Sequence, residues 1–167
     1  MITKTETQTF VYDTYIRTTP EKLWQALTQG EFSEQYWKGY RIELEERAGG
    51  RVRILPPKGG QAIWEESGKV LAYEPVHKLA YEFVMKESSE QSAKRDGPSR
   101  VSYELQPMGE MVRLRLVHEN LLPEDVAKDP NSPRGINNGW PAIVSSLKSL
   151  LETGQAIHLE PCNSNEG

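Results

Sequence analysis

His118 is the side chain of this sequence best suited to acid–base chemistry. It ends the alternating run Val112, Leu114, Leu116, His118, so its ring is predicted to point toward the apolar face of a strand. An imidazole in that position could hydrogen-bond a ligand or exchange a proton near neutral pH. Because Glu119 falls on the opposite face, no carboxylate partner is evident, and a structural histidine of the core is the preferred alternative.

Large aromatic side chains are the second candidate, as the lining of a ligand cavity. Tyr and Trp join an apolar body to an O–H or N–H group that can orient a ligand. Trp64, between a Pro/Gly-rich turn and the next strand, is a possible lid residue or an exposed one, whereas Trp24 is assigned to the core. Each candidate could also be ordinary core. The predicted cavity lining is Trp37, Tyr81, Phe83, Tyr103, His118, Trp140, Val144 and Leu147.

No motif of a known catalytic or cofactor site is recognisable. Ser145, Ser146 and Ser149 fall on the predicted wet side of the last helix, without a Gly-x-Ser-x-Gly elbow or a triad. The glycine pairs at 49–50 and 59–60 are predicted turns, since neither opens a helix as a phosphate-binding loop does. We therefore assign no catalytic residue and no cofactor.

Composition is typical of one cytoplasmic domain. The chain has 167 residues, 37% of them hydrophobic and 26% charged. The net charge of −4 gives no reason to expect nucleic acid as a partner. Cys162 is the single cysteine, so we predict neither an internal disulfide nor a metal site. The sequence shows no signal peptide and no run of about 20 apolar residues, so we predict no membrane span.

The elements that must position these residues are mostly strands. Two short helices are predicted after the first strand, the first beginning at Pro20 behind Thr18 or Thr19 as the capping residue. The polar segment 86–99 is predicted to be a loop or mobile linker. Alternating apolar residues predict seven strands, near 9–17, 40–45, 51–54, 68–74, 77–85, 100–108 and 111–120.

The last helix is predicted from about Asn137 to Thr153, with Pro141 in its first turn. Its apolar stripe must be buried, and the alternating strands offer one apolar face of an antiparallel sheet. The predicted fold is therefore α+β, with a curved antiparallel sheet gripping a long C-terminal helix. The stripe consists of Trp140, Ile143, Val144, Leu147, Leu150 and Leu151, and the residues predicted to face away are Ser145, Ser146, Lys148, Ser149 and Glu152.

Four segments resemble bacterial members of the family of homologues of the activator of heat-shock-protein-90 ATPase, within the START-like (Bet v 1-like, SRPBCC) superfamily. They are "TPEKLWQALT", "RAGGRVRI", "GKVLAYEPVHKLAYEF" and "NNGWPAIVSSLKSLLETG". The resemblance implies a helix-grip domain over residues 9–155, with tails at 1–8 and 156–167.

What the resemblance implies about function leaves three hypotheses open. The wider superfamily mainly binds apolar small molecules between sheet and helix, so a lipid-like or aromatic ligand in that place is the first. Eukaryotic namesakes are co-chaperones, so a chaperone-associated or stress-response accessory domain with a protein partner is the second. Some superfamily members are cyclases or hydrolases, and an enzyme of that kind using His118 is the third. We expect a monomer or a weak homodimer.

Overall fold

The structure is a computed structural model that describes residues 4–57, 68–84, 89–132 and 135–157. The strands are β1 (Gln8–Ile16), β2 (Arg41–Leu44), β3 (Arg51–Leu55), β4 (Gly68–Glu74), β5 (Lys78–Phe83), β6 (Ser99–Met108) and β7 (Met111–Leu121). The helices are α1 (Pro20–Thr28), α2 (Gly30–Tyr36), α3 (Ser89–Ser92) and α4 (Ile136–Thr153), with a 3-10 turn at Pro123–Asp125.

All seven strands form one antiparallel sheet in the order β1-β7-β6-β5-β4-β3-β2. Alternate residues of each strand face the interior, and the inward residues Val101, Leu114 and Leu116 are fully buried. The sheet curls around α4, which places its apolar stripe on the inner face. The predicted α+β helix-grip fold is confirmed.

The two short helices follow the predicted signals. Thr19 caps α1, and its Oγ1 accepts the backbone N–H of Lys22 at 3.2 Å, with Pro20 as the first helical residue. Helix α2 lies against β2, where Ser33 Oγ accepts the backbone N–H of Ile42 at 2.9 Å. Together, α1 and α2 place Trp24 and Tyr36 in the core.

Helix α4 begins at Ile136, one residue before the predicted start, and Pro141 lies inside the helix rather than in its first turn. The start of the helix is bonded to the loop that precedes it. Asn137 clamps Ala127 through both amide atoms, with Oδ1 accepting the N–H at 2.8 Å and Nδ2 donating to the carbonyl at 3.1 Å. These bonds support the first turn, and at the other end Gly154 takes the left-handed conformation that ends the helix.

One prediction about exposure is wrong. Ser146 was expected to face water, but it is fully buried because the chain after α4 folds back over it. Its Oγ donates to the carbonyl of Ile157 at 2.9 Å and accepts the N–H of that residue at 3.1 Å. In the polar segment 86–99, predicted to be a loop or mobile linker, the described part contains the one-turn helix α3 followed by turns, and it buries Arg95.

Candidate functional site

A chain of hydrogen bonds runs through His118 and joins α4 to two strands. The indole Nε1–H of Trp140 donates to His118 Nδ1 at 2.9 Å. Since an indole nitrogen only donates, Nδ1 must accept, and the ring proton is therefore on Nε2. His118 Nε2 then donates to Ser99 Oγ at 2.8 Å, and Ser99 donates to the carbonyl of Phe83 at 3.0 Å. Every polar atom of the imidazole and the indole has a partner.

Burial makes this imidazole a weak base. The loss of hydration, and secondarily the positive charge of Arg95, lower the pKa of His118 from 6.5 to about 3. The ring is neutral at neutral pH, and both its nitrogens already have partners. His118 is therefore placed to hold Trp140 and Ser99 in position, and a proton-transfer role has no geometric support.

The aromatic candidates come together as one cluster beneath α4. The rings of Trp37, Phe83 and Trp140 contact one another, with centroids 5.1–6.1 Å apart. The rings of Trp140 and Tyr103 are nearly perpendicular, with centroids 6.3 Å apart. The eight residues predicted to line a cavity are all buried, each exposing at most 3% of its surface, as is seen for Tyr103 and Trp140. In this structure their side chains pack against one another, so a ligand would have to part them.

Three tyrosine hydroxyls lie inside this apolar region. Tyr36 donates to the carbonyl of Ala26 at 3.0 Å, whereas Tyr81 and Tyr103 share a longer contact of 3.4 Å between their oxygens. Two hydroxyls carry two protons but make one bond between them. One proton therefore has no acceptor among the described residues, in contrast with the His118 chain.

Burial also keeps these hydroxyls protonated. It raises the pKa of Tyr81 to about 12 and raises the pKa of Tyr103 well above its ordinary value, with the neighbouring tyrosines adding to the shift for Tyr103. The pKa of Tyr36 is raised mainly by burial as well. The pair of Tyr81 and Tyr103 can therefore act as a neutral hydrogen-bond donor in an otherwise apolar interior.

A buried ion pair lies behind His118. The side chain of Arg95 is 1% exposed, and its guanidinium donates to Asp125 Oδ2 at 2.9 Å and to the carbonyl of Asn120 at 3.0 Å. The same carboxylate oxygen accepts the backbone N–H of Leu122 at 2.8 Å. The pair fixes the segment before β6 to the turn after β7 and supplies the positive charge felt by His118.

Sequence reasoning missed some polar residues of this interior, and for different reasons. Ser99 has the same parity as Val101 and Tyr103, so strand alternation could have found it. Arg95 lies in a polar segment without periodicity, and no sequence signal distinguishes it from its exposed neighbours. Trp64, the predicted lid, lies outside the described residues.

The outer side of the β2–β3 hairpin has an open groove of about 400 Å³. Its carboxylates already have partners, since Glu43 accepts Arg41 Nε at 2.7 Å and Glu45 accepts the N–H of Arg51 at 2.7 Å. Glu43 also pairs with Arg53 across the strands. The groove is a solvated face with its charges balanced internally.

Among the described residues, no group of three His, Cys, Asp or Glu side chains could hold a metal ion. In the same part of the chain, no helix is long and apolar enough to cross a membrane.

Comparison with known families decides the affiliation. The model of the family described as "Activator of Hsp90 ATPase homolog 1-like protein" matches residues 17–152. The chain belongs to this family. The family resemblance of the sequence segments is thereby confirmed, and the match spans every element from α1 to nearly the end of α4.

Solved structures of relatives have the same fold. Protein MLL2253 from Mesorhizobium loti is 27% identical, with a TM-score of 0.64 over 86% of this chain and 96% of its own. The Aha1 protein of Colwellia psychrerythraea, described as a dimer, is 19% identical, with a TM-score of 0.65 over 89% of this chain and 99% of its own. PFC0360w of Plasmodium falciparum, described as an HSP90 activator, is 20% identical, with a TM-score of 0.57 over 79% and 86%. A search of curated proteins finds no match.

Proposed function

We propose that this family member binds an apolar small molecule between the sheet and α4, and that the ligand carries one neutral hydrogen-bond acceptor. The observation that carries the proposal is the buried pair of Tyr81 and Tyr103, one of whose two hydroxyl protons has no acceptor in the described part of the chain. A buried donor without an acceptor costs roughly 1–3 kcal/mol. A ligand oxygen placed at this pair would recover that free energy.

The acceptor should be uncharged, such as a ketone, ester or amide oxygen. Bringing a carboxylate into this interior would remove its hydration, and such a charge needs a cation to compensate. His118 is neutral, and the guanidinium of Arg95 already contacts Asp125. The charge state of the tyrosine pair points the same way, because neutral hydroxyls suit a neutral acceptor.

Entry requires the aromatic cluster to open, since its members pack against one another. The ligand would then replace contacts between rings, such as that between Trp37 and Trp140, by contacts with its own apolar body. Burial contributes about 25 cal/mol per Å² of apolar surface, from which the cost of opening and of lost motion must be subtracted. We expect affinities that are modest for an aromatic fragment.

A matched pair of probes tests the proposal. 2-Acetylnaphthalene and 2-ethylnaphthalene have similar shape but differ in the acceptor oxygen, and 2-naphthoate adds the charged form. We expect the ketone to bind most tightly, about tenfold more tightly than the hydrocarbon, in tryptophan-fluorescence and NMR titrations. Tyr81→Phe with Tyr103→Phe should remove this preference, whereas Tyr73→Phe, at an exposed hydroxyl, should leave it intact. Absence of binding by all three compounds would count against the function itself.

An accessory role beside a chaperone is the second candidate, and the family description favours it. The solved structures described as Aha1 and as an HSP90 activator are 19% and 20% identical to this chain, so their likeness supports the fold alone. The test is the ATPase rate of the source organism's Hsp90 with and without the protein. No change at saturating protein would remove this candidate. An enzyme using His118 finds no support in the low basicity of that ring.

A further inference from the structure

The two edges of the sheet are closed to different extents. The β2 edge is covered by α2, which supplies Ser33 as an acceptor for the backbone of Ile42. The β1 edge is covered from α4 only at its end, where Lys148 Nζ donates to the carbonyl of Tyr15 at 2.7 Å. Beyond that point in β1 toward Gln8, no described residue provides a comparable cap.

The β1 edge nevertheless presents hydrogen-bonding groups. In an antiparallel ladder, alternate residues direct both their N–H and C=O groups to the same side. The carbonyl of Tyr15 and the N–H of Arg17 point away from β7, toward Lys148 and Glu152. Residues of the same parity, including Val11 and Asp13, therefore direct their backbone groups outward too. Among the described residues, nothing bonds these two on the open side.

This stretch has few of the features that usually keep an edge strand from pairing, and its register irregularity against β7 lies at the start, between Gln8 and Phe10. Protected edge strands are short or bulged, or they carry Lys, Pro or an inward-pointing charge. Strand β1 has nine residues, QTFVYDTYI, without Lys or Pro. Val11 is 51% exposed, and the carboxylate of Asp13 accepts from Nε and Nη2 of Arg115, each at 2.8 Å. The strand thus offers an open, apolar and electrically balanced edge.

We propose that this edge pairs antiparallel with the same edge of a second copy of the chain, with Val11 on the two-fold axis. In this register Val11 faces the partner's Val11, and Thr9 faces the partner's Asp13. On the inner face Phe10 lies opposite the partner's Tyr12. Such a pairing is isologous, so it closes as a dimer and continues the sheet from one protomer into the next.

The sequence of β1 is self-complementary in this register, and that favours a second copy as the occupant. Val11 faces a second Val11, the hydroxyl of Thr9 faces the carboxylate of Asp13, and the ring of Phe10 faces that of Tyr12. Each is a favourable cross-strand pair. Phe10 and Tyr12 are half-buried and stack with ring centroids 6.4 Å apart, which places them ready to extend the stack. Moving the axis to Asp13 would instead oppose two carboxylates. Because the pairing stretch is short, the dimer depends on concentration.

Charge substitutions at the axis provide the test, measured by sedimentation velocity over a concentration series. The wild type should dimerise reversibly, and Val11→Lys and Val11→Glu should each weaken the dimer at least about tenfold, because like charges then face each other. An equimolar mixture of the two variants should recover the dimer. Leu71→Lys, at a residue of β4 that is 42% exposed, is the control and should dimerise like the wild type.

Two results would overturn the proposal. One is a wild type that stays monomeric up to its solubility limit. The other is a dimer that persists in Val11→Lys and Val11→Glu, or that the mixture fails to restore although each variant retains its circular-dichroism spectrum. The dimer does not depend on ligand binding, so the dimer proposal and the ligand-binding proposal can each fail without the other.

Discussion

Two polar sites of the described interior differ in how completely their hydrogen-bonding groups are paired. At His118, donors and acceptors match one to one from the indole of Trp140 to the carbonyl of Phe83, over contacts of 2.8–3.0 Å. At Tyr81 and Tyr103, two donors share one contact of 3.4 Å. A matched network stabilises the fold and leaves nothing for a ligand to bind. A site with a surplus donor contributes less to stability, and it leaves one hydroxyl proton available for a ligand.

The largest expected effect comes from removing the centre of the matched network. His118→Ala deletes a buried ring and leaves the indole N–H of Trp140 and the hydroxyl of Ser99 without their partner. We expect the free energy of unfolding to fall by about 4 kcal/mol, measured by urea denaturation. His77→Ala, at an exposed turn, is the control and should stay within about 0.5 kcal/mol of the wild type. A small loss for His118→Ala would show that the network contributes little.

Acid should disrupt the same network. The pKa of His118 is about 3 in the folded protein and 6.5 as an ordinary value, so the unfolded chain binds the proton more readily. The resulting stability is fully present above pH 6.5 and is lost as the pH falls toward 3. Between pH 6.5 and about 4 we expect a loss on the order of 3 kcal/mol from this group.

The comparison for that pH prediction is His118→Gln, which cannot take up the proton. Its free energy of unfolding should fall less steeply over the same interval. Nitrogen-15 NMR of the wild type should also show the neutral ring with its proton on Nε2 until the protein unfolds. Titration of the folded ring near pH 6.5 would contradict the prediction.

The tyrosines give the smallest effects and the sharpest contrast. Tyr36→Phe removes a bond of 3.0 Å to a carbonyl, leaving that acceptor unpaired, and should cost about 1 kcal/mol. Tyr81→Phe removes only the long contact of 3.4 Å and leaves one unpaired hydroxyl proton, on Tyr103, as before, so it should change the free energy of unfolding by less than about 0.5 kcal/mol. Both variants keep the ring, so their packing is matched. Equal losses in denaturant unfolding would mean that the tyrosine pair is satisfied after all.

The sequence predicted the fold well because its signals are periodic. Spacings of three and four in α4, and of two in β6 and β7, say which face of each element is apolar, and only a few arrangements bury all those faces together. Exposure was predicted less well where it depends on a segment remote in sequence. Ser146 is buried because Ile157 returns to it, and no local pattern records that return.

The candidate site was predicted only in part. The parity of the strands brought His118, Tyr81 and Tyr103 to one face, and the structure places all of them in the core. Their partners were not predictable, because a hydrogen bond depends on the position of single atoms to within a few tenths of an ångström. Arg95 is the extreme case, since it reaches the interior from a polar segment.

By itself, the sequence determined the helix-grip fold, the family and most of the apolar side chains that face inward, because the periodicity of apolar residues defines which face of each element is buried. Only the tertiary structure decided that His118 is a neutral link between Trp140 and Ser99, and that one hydroxyl proton of Tyr81 and Tyr103 has no acceptor among the described residues. Both outcomes depend on distances between residues that are far apart in the chain. Curling of the sheet around α4 fixes those distances.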